Sequence, residues 1–405
     1  MITNYAGISP KTDLQLIERL AAVLSGRSML HVNSTRAGGG VAEILHRMMP
    51  LIQSLGITVR WEVISGDEYF FEITKKFHNA LQGTAVEFHD DMWEHHVAVN
   101  TANASSLDLE ADAVWIHDPQ PAPLIAHRRG GLWVWRCHID ASEPQADVLH
   151  HLASFCRNYD ASIFSVARYA RFPGVPAFVI PPSIDPLSDK NRELSAGEIA
   201  ATLQQFGIPP DRPMLLQVSR FDRFKDPLGV IEAYRLIKKY NDCILVLAGS
   251  SATDDPEGEQ VLQEVHQHAA GDPDIFILLL PSASDHAINA LQRAATVVLQ
   301  KSIREGFGLT VSEAMWKGKP VIGGATGGIP LQIIDGQTGV LVHTIEGAAF
   351  RARQLLNNAD MAHRMGRQAR EYVRTNFLIT RQIRDYLALW AVLMRGSTSP
   401  EEFVL

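Results

Sequence analysis

A chain of 405 residues with a net charge of −8 is too long for one hydrophobic core, and it lacks the basic surplus that nucleic acid demands. Its apolar share of 46% is ordinary for a globular protein, and no apolar run approaches the roughly 18–20 residues needed to span a bilayer. The N-terminus has no basic stretch leading into an apolar one, and Cys137, Cys156 and Cys243 are scattered without CxxC spacing. The expectation is a cytoplasmic protein with no disulfide or zinc framework, no membrane anchor and no nucleic-acid partner.

Short apolar runs alternate with helical periodicity almost from end to end. Strands are expected at 29–33, 58–64, 113–117, 132–137, 162–165 and 177–180, with helical patterns at 41–55, 69–81 and 145–159. A second series follows at 214–218, 243–248, 275–280, 297–300, 320–322 and 340–342, joined by helices at 227–240, 257–269, 284–294 and 309–317. Strands alternating with helices imply α/β domains, each a doubly wound parallel sheet of Rossmann-like type. The break is placed at Pro181-Pro182-Ser183-Ile184-Asp185-Pro186, where prolines forbid helix and remove ladder donors. This gives domains 1–186 and 187–377, a terminal helix 378–396 crossing back to the first domain, and a frayed tail 397–405. Two such sheets facing each other would leave a crevice at their carboxyl ends, where ligands of this architecture bind.

Three loops at those ends carry polar chemistry. Asn33-Ser34-Thr35-Arg36-Ala37-Gly38-Gly39-Gly40 brings backbone N–H groups to a helix start; it reads as a phosphate or sugar cradle, or as a tight turn. It is not GxGxxG, so a nicotinamide site is poorly supported. In Ser219-Arg220-Phe221-Asp222-Arg223-Phe224-Lys225-Asp226, Arg220 and Lys225 can converge on a diphosphate, one as a fork and one as a point charge. In the third, Glu305 precedes Gly306-Phe307-Gly308, and Glu313 lies about one and a half turns into the helix that begins at Leu309. Backbone N–H groups at Gly306–Thr310 would face phosphates, Glu305 would accept from sugar hydroxyls, and Glu313 from a ribose diol. Two further clusters, His117-Asp118-Pro119-Gln120-Pro121 and Arg136-Cys137-His138-Ile139-Asp140, offer hydrogen bonds to a hexose, or equally a polar core. His95-His96 and His150-His151 read as surface positions on amphipathic helices. Neither Asp90-Asp91 nor Asp254-Asp255 is followed by further ligands at metal-binding spacing, so no metal is expected.

On these residues the chain resembles the retaining nucleotide-sugar glycosyltransferases of GT-B architecture, family four. Within that group, His31-Val32-Asn33-Ser34-Thr35, Gly38–His46, Phe77–Gly83, His117–Pro121, Trp135–Asp140 and Glu313–Pro320 are similar to the trehalose synthases of the glycosyltransferring type. The resemblance covers nearly the whole chain. It implies transfer of glucose from a nucleoside-diphosphate glucose to free glucose, in a homodimer needing no cofactor beyond the donor itself. It further implies catalytic roles for Arg220, Lys225, Glu305 and His138. Donor contacts would come from Gly39, Gly40, Arg220, Lys225, Glu305, Gly306, Phe307, Gly308, Leu309, Thr310 and Glu313. The acceptor would be met by Asn33, Ser34, Arg36, His117, Asp118, Gln120 and Asp140. Two departures stand out: Arg36 where a small or apolar residue is expected, which would suit a phosphorylated acceptor or reach the donor diphosphate, and the glycine-rich, weakly basic run Gly323–Gly328, which implies a different donor or base preference. The competing readings are transfer to a sugar phosphate, fructose or glycerate, and a nucleotide-sugar-binding regulator without turnover. A pyridoxal-phosphate phosphorylase is disfavoured because no lysine stands in a Schiff-base context.

Overall fold

A computed structural model describes residues 1–36, 39–249, 256–281 and 283–396. The expected tail 397–405, Ala37 and Gly38 of the glycine loop, and Asp254-Asp255 lie outside the described residues. The chain divides into two compact units, Met1–Pro182 with Ile379–Leu405, and Ser183–Leu378.

Unit 1 is built on strands β1 (Ser28–Asn33), β2 (Thr58–Val63), β3 (Ala113–His117), β4 (Leu132–Cys137), β5 (Ala161–Phe164) and β6 (Ala177–Val179). They form one parallel sheet in the order β2-β1-β3-β4-β5-β6. Its helices are α1 (Lys11–Leu24), α2 (Gly39–Gln53), α3 (Glu68–Leu81), α4 (Asp90–Ser106) and α5 (Ala146–Cys156). Side chains alternate across a strand, so β1, β3 and β4 send Met29, Trp115 and Val134 to one face and Leu30, Val114 and Trp135 to the other. Both faces are buried, which is why these strands read as nearly continuous apolar runs.

Unit 2 repeats the scheme with β7 (Met214–Val218), β8 (Ile244–Gly249), β9 (Ile275–Leu279), β10 (Val297–Gln300), β11 (Val321–Gly324) and β12 (Val340–Val342). The sheet is again parallel, in the order β12-β11-β10-β7-β8-β9. Around it lie α6 (Ala196–Gln205), α7 (Pro227–Lys238), α8 (Pro256–Ala269), α9 (Asp285–Ala294), α10 (Leu309–Trp316), α11 (Ile329–Gln332), α12 (Ile345–Leu356) and α13 (Ala359–Asn376). In unit 1 the strand order reverses between β1 and β3, and in unit 2 between β7 and β10. Crossover helices leave in opposite directions at these points, so the loops that follow those strands diverge and open a crevice within each unit.

The last helix, α14 (Ile379–Arg395), belongs to unit 1, where it packs on α1 and on the sheet. Tyr386 stacks on Trp115 at 4.5 Å between ring centroids, Arg384 pairs with Asp13 at 2.7 Å, and Thr380 shares a 2.8 Å hydrogen bond with Ser9. All twelve expected strands are present within a residue or two of their expected bounds. Helices α1, α6, α11 and α12 were not among the helices expected from the sequence.

One expectation is corrected here. His96 is fully buried, and its partner in the fold is His151, not water. The Nδ1 of His96 meets His151 Nε2 at 2.9 Å, while its Nε2 lies 3.2 and 3.1 Å from the carbonyls of Pro119 and Gln120. Those carbonyls can only accept, so His96 Nε2 carries the proton and its Nδ1 accepts from His151. Helix α4 is wedged among α3, α5 and the turn at Ala122–His127, and that enclosure is tertiary.

Truncating Trp390, fully buried on α14, should cost about 3–5 kcal/mol. Urea unfolding of Trp390→Ala would read that loss; a midpoint equal to the parent's would mean that α14 does not anchor unit 1.

Candidate functional site

The site in unit 2 lies at its topological switch point. The loop after β7 carries Arg220 and Lys225, and the loop after β10 carries Glu305. Lys225 is carried by a single 3-10 turn, Arg223–Lys225, capped by Asp222. Asp226 follows in the left-handed region at φ 53°, which an aspartate tolerates, and its carboxylate accepts from Gly229 N to start α7. Lys301 lies against Asp226, and Gln217 donates to the Lys225 carbonyl at 2.7 Å, which ties the β7 and β10 loops together. Lys225 Nζ then donates to both carboxylate oxygens of Glu305, at 2.8 and 2.7 Å. Glu305 is 8% exposed and also accepts from Ser302 Oγ at 3.2 Å. Arg220 stands 3.6 Å from Asp222 with about half its side chain, 54%, in solvent.

Gly308 starts α10 with φ 82°, and the first N–H groups of this helix, from Leu309 and Thr310 on, open its positive end. Gln332 holds that turn in shape: its amide nitrogen donates to the Phe307 carbonyl at 2.5 Å, and its oxygen accepts from the Ser312 N–H and hydroxyl at 3.0 and 2.5 Å. Glu313, buried on the next turn, has Lys190 Nζ 3.9 Å away. Lys317 reaches back to the Glu313 carbonyl at 3.1 Å and to Asn191 at 2.9 Å, and burial pushes its ammonium well below the usual lysine range. The glycine run finds its reason here. A Cβ on Gly327, at φ 58°, would stand 1.6 Å from the Glu305 carbonyl oxygen, so that backbone can lie under Glu305 only without a side chain.

In unit 1, β1, β3 and β4 are neighbours, and the alternation of side chains puts His31, His117 and Arg136 on one face, with His138 at the next position of the same face. The rings join end to end: His31 Nδ1 to His117 Nε2 at 2.9 Å, and His117 Nδ1 to His138 Nε2 at 3.1 Å. Burial lowers His31 to about 3, and burial likewise carries His117 and His138 well below the usual histidine range. Asp118, at φ 68°, turns the chain so that its carboxylate accepts from His138 N at 2.7 Å, and burial raises it to about 7. Arg136 is buried, donates to Ser165 Oγ at 3.2 Å, and its Nε and Nη1 meet no partner among the described residues.

The other expected positions of unit 1 are already engaged. Asn33 accepts from Trp61 Nε1 at 2.8 Å and donates to the Thr35 carbonyl at 2.7 Å, and Ser34 follows it half-buried. Arg36 donates to the Trp61 carbonyl at 2.5 Å and lies over that ring at 5.5 Å. Asp140 closes a turn on Ser142, and the Gln120 carbonyl is held by α4. Gly39 and Gly40 begin α2. The structure thus gathers Lys225 and Glu305 with the start of α10 in unit 2, and His117, Asp118 and His138 in unit 1. Lys190, Ser302, Lys317 and Gln332 are participants that motif reading missed. Lys317 alone had a signal, four residues after Glu313 on the same helical face.

Residues 31–171 match the family described as "Trehalose synthase, N-terminal domain", and residues 198–372 match "Glycosyl transferases group 1". The chain is 45% identical to the trehalose synthase of Thermococcus litoralis over 395 residues, covering 96% of each chain. It belongs to the trehalose synthase family. A second relative, the trehalose synthase of Rubrobacter xylanophilus, is 46% identical over 407 residues and 97% of each chain. Among solved structures, the α,α-trehalose-phosphate synthase (UDP-forming) from Burkholderia vietnamiensis superposes with a TM-score of 0.71 at 14% identity, over 93% of this chain and 99% of that one. That likeness fixes the GT-B fold and nothing finer. The protein is accordingly a hexosyltransferase of group 1. No described helix is long and apolar enough to cross a membrane, and no three His, Cys, Asp or Glu side chains among the described residues gather as a metal would need.

Two outcomes follow. Gly327→Ala forces a methyl into the Glu305 backbone, and overpacking of this kind costs about 1–3 kcal/mol, readable as a lower urea midpoint. Acidification should also destabilise the fold. The three linked histidines sit below their unfolded value near 6.5, so the stability they contribute is complete above that pH and is lost as pH falls below it. Asp118 acts in the opposite sense, its penalty disappearing as pH falls from about 7 towards 4, and offsets roughly one histidine. From pH 7 to 5.5 the three histidines outweigh the one carboxyl, so the urea midpoint should fall. An unchanged unfolding midpoint across that range would mean the rings are already charged in the fold.

Proposed function

We propose that the protein is a retaining glucosyltransferase that moves glucose from a nucleoside-diphosphate glucose to free glucose, forming trehalose. The observation that carries this reading is the Lys225–Glu305 pair beside the start of α10. A cation, a carboxylate and a row of backbone N–H groups at one switch point are what a sugar diphosphate calls for. On this reading Lys225, with Arg220, neutralises the leaving diphosphate while the N–H groups of Gly306–Thr310 bind its oxygens. Side chains supply this positive charge, so a divalent ion is not needed for the task. Glu305 accepts from hydroxyls of the transferred hexose, and Glu313 from the ribose. Before the donor arrives, Lys225 and Glu305 are held against each other at 2.7 Å.

His138, its backbone N–H held by the Asp118 carboxylate, supplies hexose contacts in unit 1. Retention on this reading proceeds by same-face substitution, the departing phosphate oxygen helping to take the acceptor proton. Arg36 speaks for an uncharged acceptor, because its guanidinium is bonded to the Trp61 carbonyl and lies over that ring.

The test is product analysis with glucose and, separately, UDP-, ADP- and GDP-glucose, each with and without EDTA. α-Linked trehalose formed in EDTA is expected, and Lys225→Met should lower kcat by about 10²–10³. An inverted linkage, or turnover only when glucose 6-phosphate replaces glucose, would sink the reading.

A further inference from the structure

Two buried histidines behind His138 have no place in the transfer just described, and their geometry gives them one. The chain His31–His117–His138 contains two nitrogen–nitrogen contacts, 2.9 and 3.1 Å long. Each contact holds one proton, since two N–H groups would collide and two bare lone pairs would repel. Three neutral rings can therefore be ordered in only two ways. In the first, His31 Nδ1–H donates to His117 Nε2, His117 Nδ1–H donates to His138 Nε2, and His138 is left with a proton on Nδ1. In the second every proton is reversed, His138 Nδ1 is bare, and His31 carries its proton on Nε2.

The far end of the chain decides between them. His31 Nε2 is buried and meets no partner among the described residues. An N–H enclosed there would forfeit the full cost of a buried unmatched donor, about 1–3 kcal/mol, and orphaned buried donors are rarer than under-used acceptors. The ring beside it, Trp115 at 6.2 Å between centroids, brings an indole N–H that also finds no partner, so the enclosure already holds one unmatched donor. A bare His31 Nε2 is the cheaper arrangement, and it fixes the direction of the whole chain. Burial keeps the three rings uncharged, and the Arg136 guanidinium opposes a positive charge on His117 and His138, which removes the doubly protonated alternatives.

We infer that His31 and His117 are positioning residues that hold His138 in the Nδ1–H form, so that it meets the sugar as a hydrogen-bond donor. This rests on the reading of His138 as a hexose contact. It deepens that reading by stating which kind of sugar atom His138 recognises: an oxygen free to accept. Because orientation passes through two rings, a change at His31, two rings back from His138 on β1, alters sugar recognition without touching the sugar.

The experiment uses the full chain labelled with ¹⁵N-histidine and long-range ¹H–¹⁵N correlation spectra, which report which ring nitrogen bears the proton. His138 is expected to be protonated on Nδ1 and bare on Nε2. His31→Leu removes the first donor; the His138 spectrum should then show mixed tautomers, and kcat/KM for the donor should fall by about 10–100-fold. His31→Asn keeps an amide N–H near the former Nδ1 and should restore most of both. A His138 protonated on Nε2 in the parent protein overturns the inference, as does a His31→Leu variant with unchanged tautomer and unchanged kcat/KM. Should that variant fail to fold, the parent spectrum alone decides the direction of the chain. A parent protein that transfers no glucose would overturn the sugar contact together with the functional reading, while the spectrum would still judge the histidine chain.

Discussion

A strand in a parallel sheet reaches its neighbour only by a crossover, and crossovers in one sheet share one hand. When the order of strands reverses, the connecting helices must leave on opposite sides, and the loops at that point part. Everything chemical in this protein is hung on that constraint. In unit 2 the reversal lies between β7 and β10, and the loops that follow them are the ones bearing Arg220, Lys225 and Glu305. In unit 1 it lies between β1 and β3, which carry His31 and His117.

What is built on the two crevices differs in kind. The unit 2 loops hold opposite charges in contact, with a carboxylate only 8% exposed and a lysine bonded to both its oxygens. Each member of such a pair offsets part of the other's cost of leaving water. The supporting groups are uncharged or backbone: Ser302, Gln332, and the glycine at 327 whose missing side chain lets one backbone lie against another. In unit 1, by contrast, three linked imidazoles lie beside the buried Arg136 guanidinium and a carboxyl raised by burial, and the order of the rings comes from hydrogen bonds passed from one to the next.

The glycine run 323–328, a departure bearing on donor preference, also serves packing beneath Glu305 at Gly327. Arg36, which suggested a phosphorylated acceptor, is turned onto Trp61. Both readings relied on residue type at a position, and both were altered by what lay beside that position in space. His96 is the same lesson in a helix, where two adjacent histidines divide between solvent and core according to which neighbour closes over them.

The alternation of apolar runs and helical stretches is a local property, so all twelve strands, and with them the α/β class, were legible from the sequence. Likewise, Lys225 could be singled out because its loop follows an apolar strand, and Glu305 and Glu313 because Gly306 and Gly308 fix a loop and a helix start, which is short-range chemistry. What no stretch of sequence contains is the pairing of Lys225 with Glu305 across 80 residues, or the joining of His31, His117 and His138 from three strands into one chain. Those contacts depend on which strands lie side by side and which face each side chain takes. Strand order is set by the burial of both sheet faces at once, an energy summed over the whole unit, and only the folded chain evaluates it.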